Sequence, residues 1–154
     1  FKYVNGHPVN SRSGLQTVTA FGLLADMRTG YPVMLSEMTL LTALRTAAMS
    51  ALAARHLAPR EARVMAVIGN GAQSEFQSVA FKAICGIEEV RLWDLDPAAT
   101  AKAARNLAGR GLRVAPCATA EEAILGAQIV TTVTADKRLA TILTDNMVGP
   151  GVHI

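Results

Sequence analysis

Aromatic side chains are scarce in this chain: one Trp, two Tyr and four Phe make up 5% of 154 residues. Strands of a large β-sandwich lean on aromatic packing, and the abundance of alanine favours helices packed closely on a sheet instead. Cysteine is limited to Cys85 and Cys117. Both sit in apolar surroundings without C-x-x-C spacing, so they read as reduced, buried thiols rather than as a disulfide or a metal site. His7, His56 and His153 have no spacing that fits a metal centre or a triad. No apolar run approaches the roughly 18 residues of a membrane span, and no signal peptide opens the chain. The formal charge of +3 comes from scattered residues. Without a Lys/Arg cluster or interleaved aromatics it speaks against nucleic acid as a partner. Metal, membrane and nucleic acid are therefore not expected, and a cytoplasmic location is.

What is present is an apolar chain, 51% hydrophobic and 18% charged, able to bury a core in one domain or one and a half. Residues 1–16 are turn-rich and read as loop. The run TVTAFGLLAD, the turn Met27-Arg28-Thr29-Gly30 and the strand Tyr31–Leu35 read as a hairpin. Ser36 is placed to N-cap a helix reaching Leu57, with Leu40, Leu41, Leu44, Ala47, Ala48, Ala51 and Leu52 as its apolar face.

After Pro59 the texture changes. Apolar strands at 63–68, 89–95, 112–116 and 127–134 alternate with helices at about 72–85, 97–108 and from 119 on. Asp96-Pro97 and Thr119-x-x-Glu122 mark two helix starts, and Gly109 one helix end. Strands apolar throughout, alternating with helices, indicate an α/β fold: a Rossmann-type parallel sheet with helices on both faces. The expected division is 1–58, part of an α+β domain, and 59–154, a dinucleotide-binding domain cut short at its far end. Gly151 to Ile154 reads as the start of a fifth strand, and the chain is expected to be the middle of a longer protein.

Chemistry concentrates at Gly69-x-Gly71-x-x-Ser74, between a strand and a helix. The first glycine permits a tight turn, the second lets a diphosphate approach the backbone, and Ser74 is small enough for the helix to pack on the strand. Amides at the helix start meet the phosphates with a favourable dipole. Asp94 ends the next strand, where a carboxylate accepts both ribose hydroxyls; it favours NAD over NADP because it would repel a 2′-phosphate. A small-residue turn with no nucleotide is the competing reading.

Other candidates are open on the residues alone. Arg45 is a solvated helix arginine or, as the only charge for seven residues either way, a guanidinium able to grip a carboxylate or phosphate. Lys2 reads as a solvated lysine near the chain start. Thr132–Lys137, at the end of the fourth apolar strand, places Thr134 to line the nicotinamide side of a cleft, or is simply a strand end running into a charged loop.

Several strings together resemble one family. They are FKYVNG (1–6), GLQTVTA (14–20), LSEMTLLTALRTAA (35–48), IGNGAQS (68–74), Thr132 to Lys137, and ILTDNMVGPGVHI (142–154). In these the chain resembles the ornithine cyclodeaminase/mu-crystallin family. The resemblance implies an NAD-dependent ornithine cyclodeaminase, a lyase serving ornithine catabolism and proline biosynthesis. L-Ornithine gives up a hydride from its α-carbon, closes on its own δ-amine with loss of ammonia, and regains the hydride as L-proline. It also implies proteins about twice this length that form homodimers. By position, Lys2 and Arg45 match residues that hold the substrate carboxylate. Thr17, Ala72, Gln73, Asp94 and Thr134 match cofactor contacts, beside Arg45, Gly69, Gly71 and Ser74. The family's catalytic aspartate is expected downstream of Ile154, leaving no catalytic residue here, and such a piece is expected to be inactive alone. Lysine cyclodeaminase, an NAD(P)-dependent amino-acid dehydrogenase such as alanine dehydrogenase, a ketimine reductase, and a non-catalytic mu-crystallin-like protein holding NADPH and a ligand remain alternatives. Asp94 argues against the NADPH users, which tend to carry Arg near that strand end.

Overall fold

The computed structural model describes residues 1–135 and 140–154. Strands β1 (Lys2–Gly6), β2 (Val18–Ala25) and β3 (Pro32–Glu37) form an antiparallel sheet in that order. The hairpin expected at β2 and β3 is present. The expectation of loop over residues 1–16 needs correction, because Lys2–Gly6 pairs residue for residue with Val18–Gly22 and Pro8–Ser13 forms a 3-10 helix. An edge strand of exposed residues carries little apolar alternation, and its Asn5-Gly6 end mimics a turn. Tyr3 stacks on Phe21 across the two strands with ring centroids 5.2 Å apart.

Ser36 does not cap the following helix. It stays in β3, and the Glu37 carboxylate accepts the Thr39 N–H as the chain turns into α1 (Thr39–Leu57). The buried stripe of α1 is Ala47, Ala51 and Ala54, while Leu40, Leu41, Leu44 and Leu52 are exposed. Of the expected face, Ala47 and Ala51 are packed and the leucines are not: alanine lets the helix approach its neighbours closely.

The remaining elements are β4 (Val64–Ile68), α2 (Ser74–Cys85), β5 (Glu89–Trp93), α3 (Pro97–Leu107), β6 (Arg113–Pro116), α4 (Ala120–Ile124) and β7 (Ile129–Thr132). Asp96 caps α3 by accepting the Ala98 N–H at 2.9 Å, and Thr119 caps α4 by accepting from Glu122 N at 3.1 Å. The four strands are parallel in the order β6-β5-β4-β7. His153 adds a parallel bridge to Ile129, outside β7, where the fifth strand was expected.

Side chains of β4 point alternately to two cores. Met65 and Val67 join Val90, Leu92 and Ile129 beneath Ala51, Ala54, Phe81, Ala103 and Leu107. Ala66 and Ile68 join Val130 beneath Ala120, Ala123 and Ile124 of α4. Helices therefore cover both faces, which explains why the strands are apolar at consecutive positions. This is the Rossmann-type α/β fold read from the sequence. Fully burying side chains of this size contributes about 1.5–3 kcal/mol each before entropy is counted.

The compact units are Phe1–Arg45 and Thr46–Ile154. The division falls inside α1, not at residue 58, because Ala51 and Ala54 belong to the core of the parallel sheet. At the amino end of that sheet, Glu89 accepts from Arg91 Nε at 2.6 Å and Arg113 Nε at 2.8 Å. These bonds, Arg91 first, hold its carboxyl below the usual range. Cys85 and Cys117 are free thiols, half-buried rather than buried, and desolvation raises both.

Candidate functional site

The glycine turn leaves β4 at the carboxyl edge of the parallel sheet, and β4 is the strand at which the order reverses between β5 and β7. Ligands of open α/β sheets bind outside such a switch point. Gly69 has φ +95°, a region that L side chains avoid, and its N–H donates to Trp93 O at 2.8 Å. A Cβ at Gly69 would lie 2.9 Å from Thr134 N and 3.0 Å from Val133 C. The turn is therefore pressed against the segment leaving β7, which brings Thr134 beside Gly69. Thr134 itself is exposed.

Gly71 differs. It lies outside the positive-φ set, and a Cβ there would meet nothing within 4 Å. The missing side chain leaves open space in front of the backbone, which is what an approaching diphosphate needs. Ala72 is exposed and Gln73 half-buried ahead of α2, which begins at Ser74 rather than at 72. Ser74 is fully buried, and its hydroxyl donates to Gly71 O at 2.9 Å, holding the turn against the helix start. The first amides of α2 lie outside its own ladder and carry the positive end of its dipole.

Asp94 follows β5 and is half-buried. Its Oδ2 accepts the Asn70 N–H at 2.5 Å and its Oδ1 accepts the Asp96 N–H at 2.9 Å. Each carboxylate oxygen keeps a further lone pair for a donor. Acid and glycine turn are thus hydrogen-bonded to each other. The donor set fits a dinucleotide: backbone amides and an open glycine for the diphosphate, a carboxylate for a ribose diol. Asn70, buried between the two glycines, and Thr100, on α3, were missed by sequence reasoning. Nothing in the spacing marks either one.

Within the N-terminal unit, Lys2 pairs with Gly22, and the Met38 thioether occupies the face where a Gly22 side chain would stand. Directly opposed residues share a face, so Lys2 projects on the Met38 side. Thr42 N–H donates to Met38 O at 2.8 Å, and Arg45 continues that helical stripe. Lys2 and Arg45 are both exposed, Arg45 seven residues beyond Met38 along α1. Thr17 is half-buried just before β2, and its carbonyl accepts the His7 N–H at 2.7 Å. Asp136 and Lys137, the end of the Thr132–Lys137 string, lie outside the described residues. Among the described residues, no helix is long and apolar enough to cross a membrane.

A doubly wound sheet with a glycine turn and an acid at the neighbouring strand end defines a Rossmann-type dinucleotide-binding fold. The chain belongs to the ornithine cyclodeaminase/mu-crystallin family, whose model matches residues 1–154. It is 70% identical over 154 residues to an ornithine cyclodeaminase of Brucella abortus biovar 1 (strain 9-941), covering all of this chain and 43% of that protein. The chain thus spans less than half the length of this curated relative. Among solved structures it resembles the Thermococcus litoralis Delta(1)-pyrroline-2-carboxylate reductase in complex with NADH and L-proline, with TM-score 0.93 and 30% identity over 99% of this chain and 47% of that one. It also resembles a lysine cyclodeaminase solved for its recognition of L-lysine, L-ornithine and L-2,4-diaminobutyric acid, with TM-score 0.85 and 33% identity over 96% of this chain and 43% of that one.

Proposed function

We propose that the full-length protein is an NAD-dependent ornithine cyclodeaminase, converting L-ornithine to L-proline and ammonia, and that this chain supplies its cofactor-binding core and part of its substrate site. The likeness to the Brucella ornithine cyclodeaminase over the whole chain carries the reaction. The hydrogen bond from the Asn70 N–H to Asp94 carries the cofactor. Bound NAD would supply reversible hydride acceptance at the substrate α-carbon, with no net redox change.

The chain's own residues bind and orient. Gly69, Gly71, Ala72, Gln73 and Ser74 would cradle the diphosphate on the first turn of α2, and Asp94 would accept the adenosine ribose hydroxyls. Thr134 would line the nicotinamide side, and Thr17 is a further cofactor contact by resemblance to the family. Lys2 and Arg45 would hold the substrate carboxylate, Arg45 also touching the cofactor; two cations on one carboxylate fix its orientation more firmly than one. The aspartate that handles the proton of the reacting amine is expected downstream of Ile154. A cytoplasmic homodimer goes with this reading.

The solved relatives keep two alternatives in view. A reductase of cyclic imines would run only the second half of the sequence, and a lysine-preferring enzyme would close a larger ring. Supplying L-lysine in place of L-ornithine and measuring cyclic product separates the latter.

Cofactor choice is the sharpest test of the geometry. In the full-length protein, Asp94→Asn removes the charge that repels a 2′-phosphate and leaves one acceptor oxygen where two now accept the Asn70 and Asp96 N–H groups. NADH affinity is expected to fall about tenfold and NADPH affinity to rise, by fluorescence titration, since hydrogen bonds to charged groups contribute about 1.5–3 kcal/mol. A native protein that binds only NADPH would refute the assignment.

A further inference from the structure

Asn70 is the middle residue of the glycine turn, and its position is unusual for a loop residue. It is fully buried. Its backbone N–H donates to Asp94 Oδ2 at 2.5 Å, and its side-chain Nδ2 donates to Thr100 Oγ1 at 2.9 Å. Thr100 is 7% exposed and sits in the first turns of α3, where its own N–H donates to Asp96 O at 3.3 Å. Asp96 in turn donates its N–H to Asp94 Oδ1 at 2.9 Å. The circuit therefore runs from the glycine turn through Asn70 to Thr100, along the start of α3 to Asp96, and back to both oxygens of Asp94.

Two features set this circuit apart from ordinary loop support. The Asn70 amide oxygen is buried without a hydrogen-bond partner among the described residues. Leaving a buried acceptor unpaired is unfavourable, so a position serving stability alone would be better filled by a smaller residue. The contact also does not depend on which way the amide is turned, because a threonine hydroxyl donates or accepts equally well.

Resting on the NAD reading above, we propose that Asn70 and Thr100 are positioning residues for nucleotide recognition. Their side-chain hydrogen bond locks the glycine turn to α3, and the Asn70 N–H then fixes the Asp94 carboxylate in the plane that receives the ribose diol. Without the Thr100 hydroxyl the Asn70 side chain loses its buried partner, the turn relaxes, and Asp94 turns away from the ribose. Loss of the hydroxyl changes selectivity more than affinity. An oriented Asp94 rewards NADH and rejects NADPH, so a misoriented one lowers the first and relaxes the second.

The test uses the full-length protein, titrated with NADH and with NADPH by fluorescence, alongside thermal unfolding of each variant. Thr100→Val, equal in size and lacking the hydroxyl, is expected to weaken NADH about fivefold to tenfold, the range of one lost buried hydrogen bond. NADPH is expected to change by less, narrowing the preference between the two. Thr100→Ser, which keeps the hydroxyl, is expected to restore native NADH affinity and preference. Thr100→Ala gives the same readout if the valine variant does not fold. Native selectivity in the variants lacking the hydroxyl would overturn the proposal, as would an equal loss for both nucleotides or a failure of serine to rescue. A native protein that binds neither nucleotide would overturn the NAD reading and this proposal together. Native NADH preference with an unaltered Thr100→Val would overturn this proposal alone.

Discussion

Arg45→Ala in the full-length protein is expected to lower kcat/KM for L-ornithine by about 10²- to 10³-fold, the range for truncating one partner of a hydrogen-bonded charge pair. NADH affinity is expected to change far less. The expectation follows from where Arg45 stands. It is exposed, with no charged neighbour for seven residues on either side of it in sequence. It continues the Met38–Thr42 stripe of α1 by helical periodicity. A guanidinium without a carboxylate neighbour on its own helix is available to one arriving on a ligand, and it offers two parallel donors. Steady-state kinetics and NADH titration on one preparation check the prediction. Ornithine turnover unchanged by the substitution would return Arg45 to the solvated surface.

The second large effect concerns the turn itself, through a contrast between its two glycines. Gly69→Ala places a methyl group 2.9 Å from Thr134 N and 3.0 Å from Val133 C, both backbone atoms, at a φ of +95°. Neither the strain nor the collision is relieved by a side-chain movement. The cost is expected to be about 3 kcal/mol or more, with NADH binding weakened by more than about 100-fold as Thr134 is pushed from the turn. Gly71→Ala meets nothing within 4 Å. Its melting temperature is expected to stay native, while its NADH affinity falls because the new methyl group occupies the space a diphosphate would use. Thermal unfolding and NADH titration on both variants separate the two roles. Equal melting temperatures for both would contradict the packing argument at Gly69, and native NADH affinity in Gly71→Ala would contradict the diphosphate assignment.

Much of the parallel sheet was legible because its physics is local. Consecutive apolar residues at Met65–Ile68 face two cores, and Asp96-Pro97 and Thr119 cap helices through bonds to residues two or three positions on. Gly69, Gly71 and Asp94 were visible as candidates for the same reason: turn, helix start and strand end follow one another along the chain. What escaped depends on pairing across distance. β1 is an edge strand whose residues face solvent, so only its register with Val18–Gly22 reveals it. The packed side of α1 is alanine rather than leucine, because helical periodicity identifies an apolar face but not which part of it another element will cover. Asn70 and Thr100, thirty positions apart, meet only once α3 has folded back onto the turn. Residue identity alone left Lys2 and Arg45 open. The Lys2–Gly22 pairing and the seat of Met38 show which face of the sheet Lys2 takes, and nothing in the spacing announces that pairing.

The proposed use of NAD as a recycled catalyst in turning ornithine into proline is tested most directly with the full-length protein, by supplying L-ornithine deuterated at the α-carbon with NAD far below the substrate concentration. Many turnovers per NAD are expected, with ammonia and L-proline in equal amounts and deuterium retained at the proline α-carbon. Turnover that stops when NAD is consumed, with a keto acid or cyclic imine as the accumulating product, would contradict it.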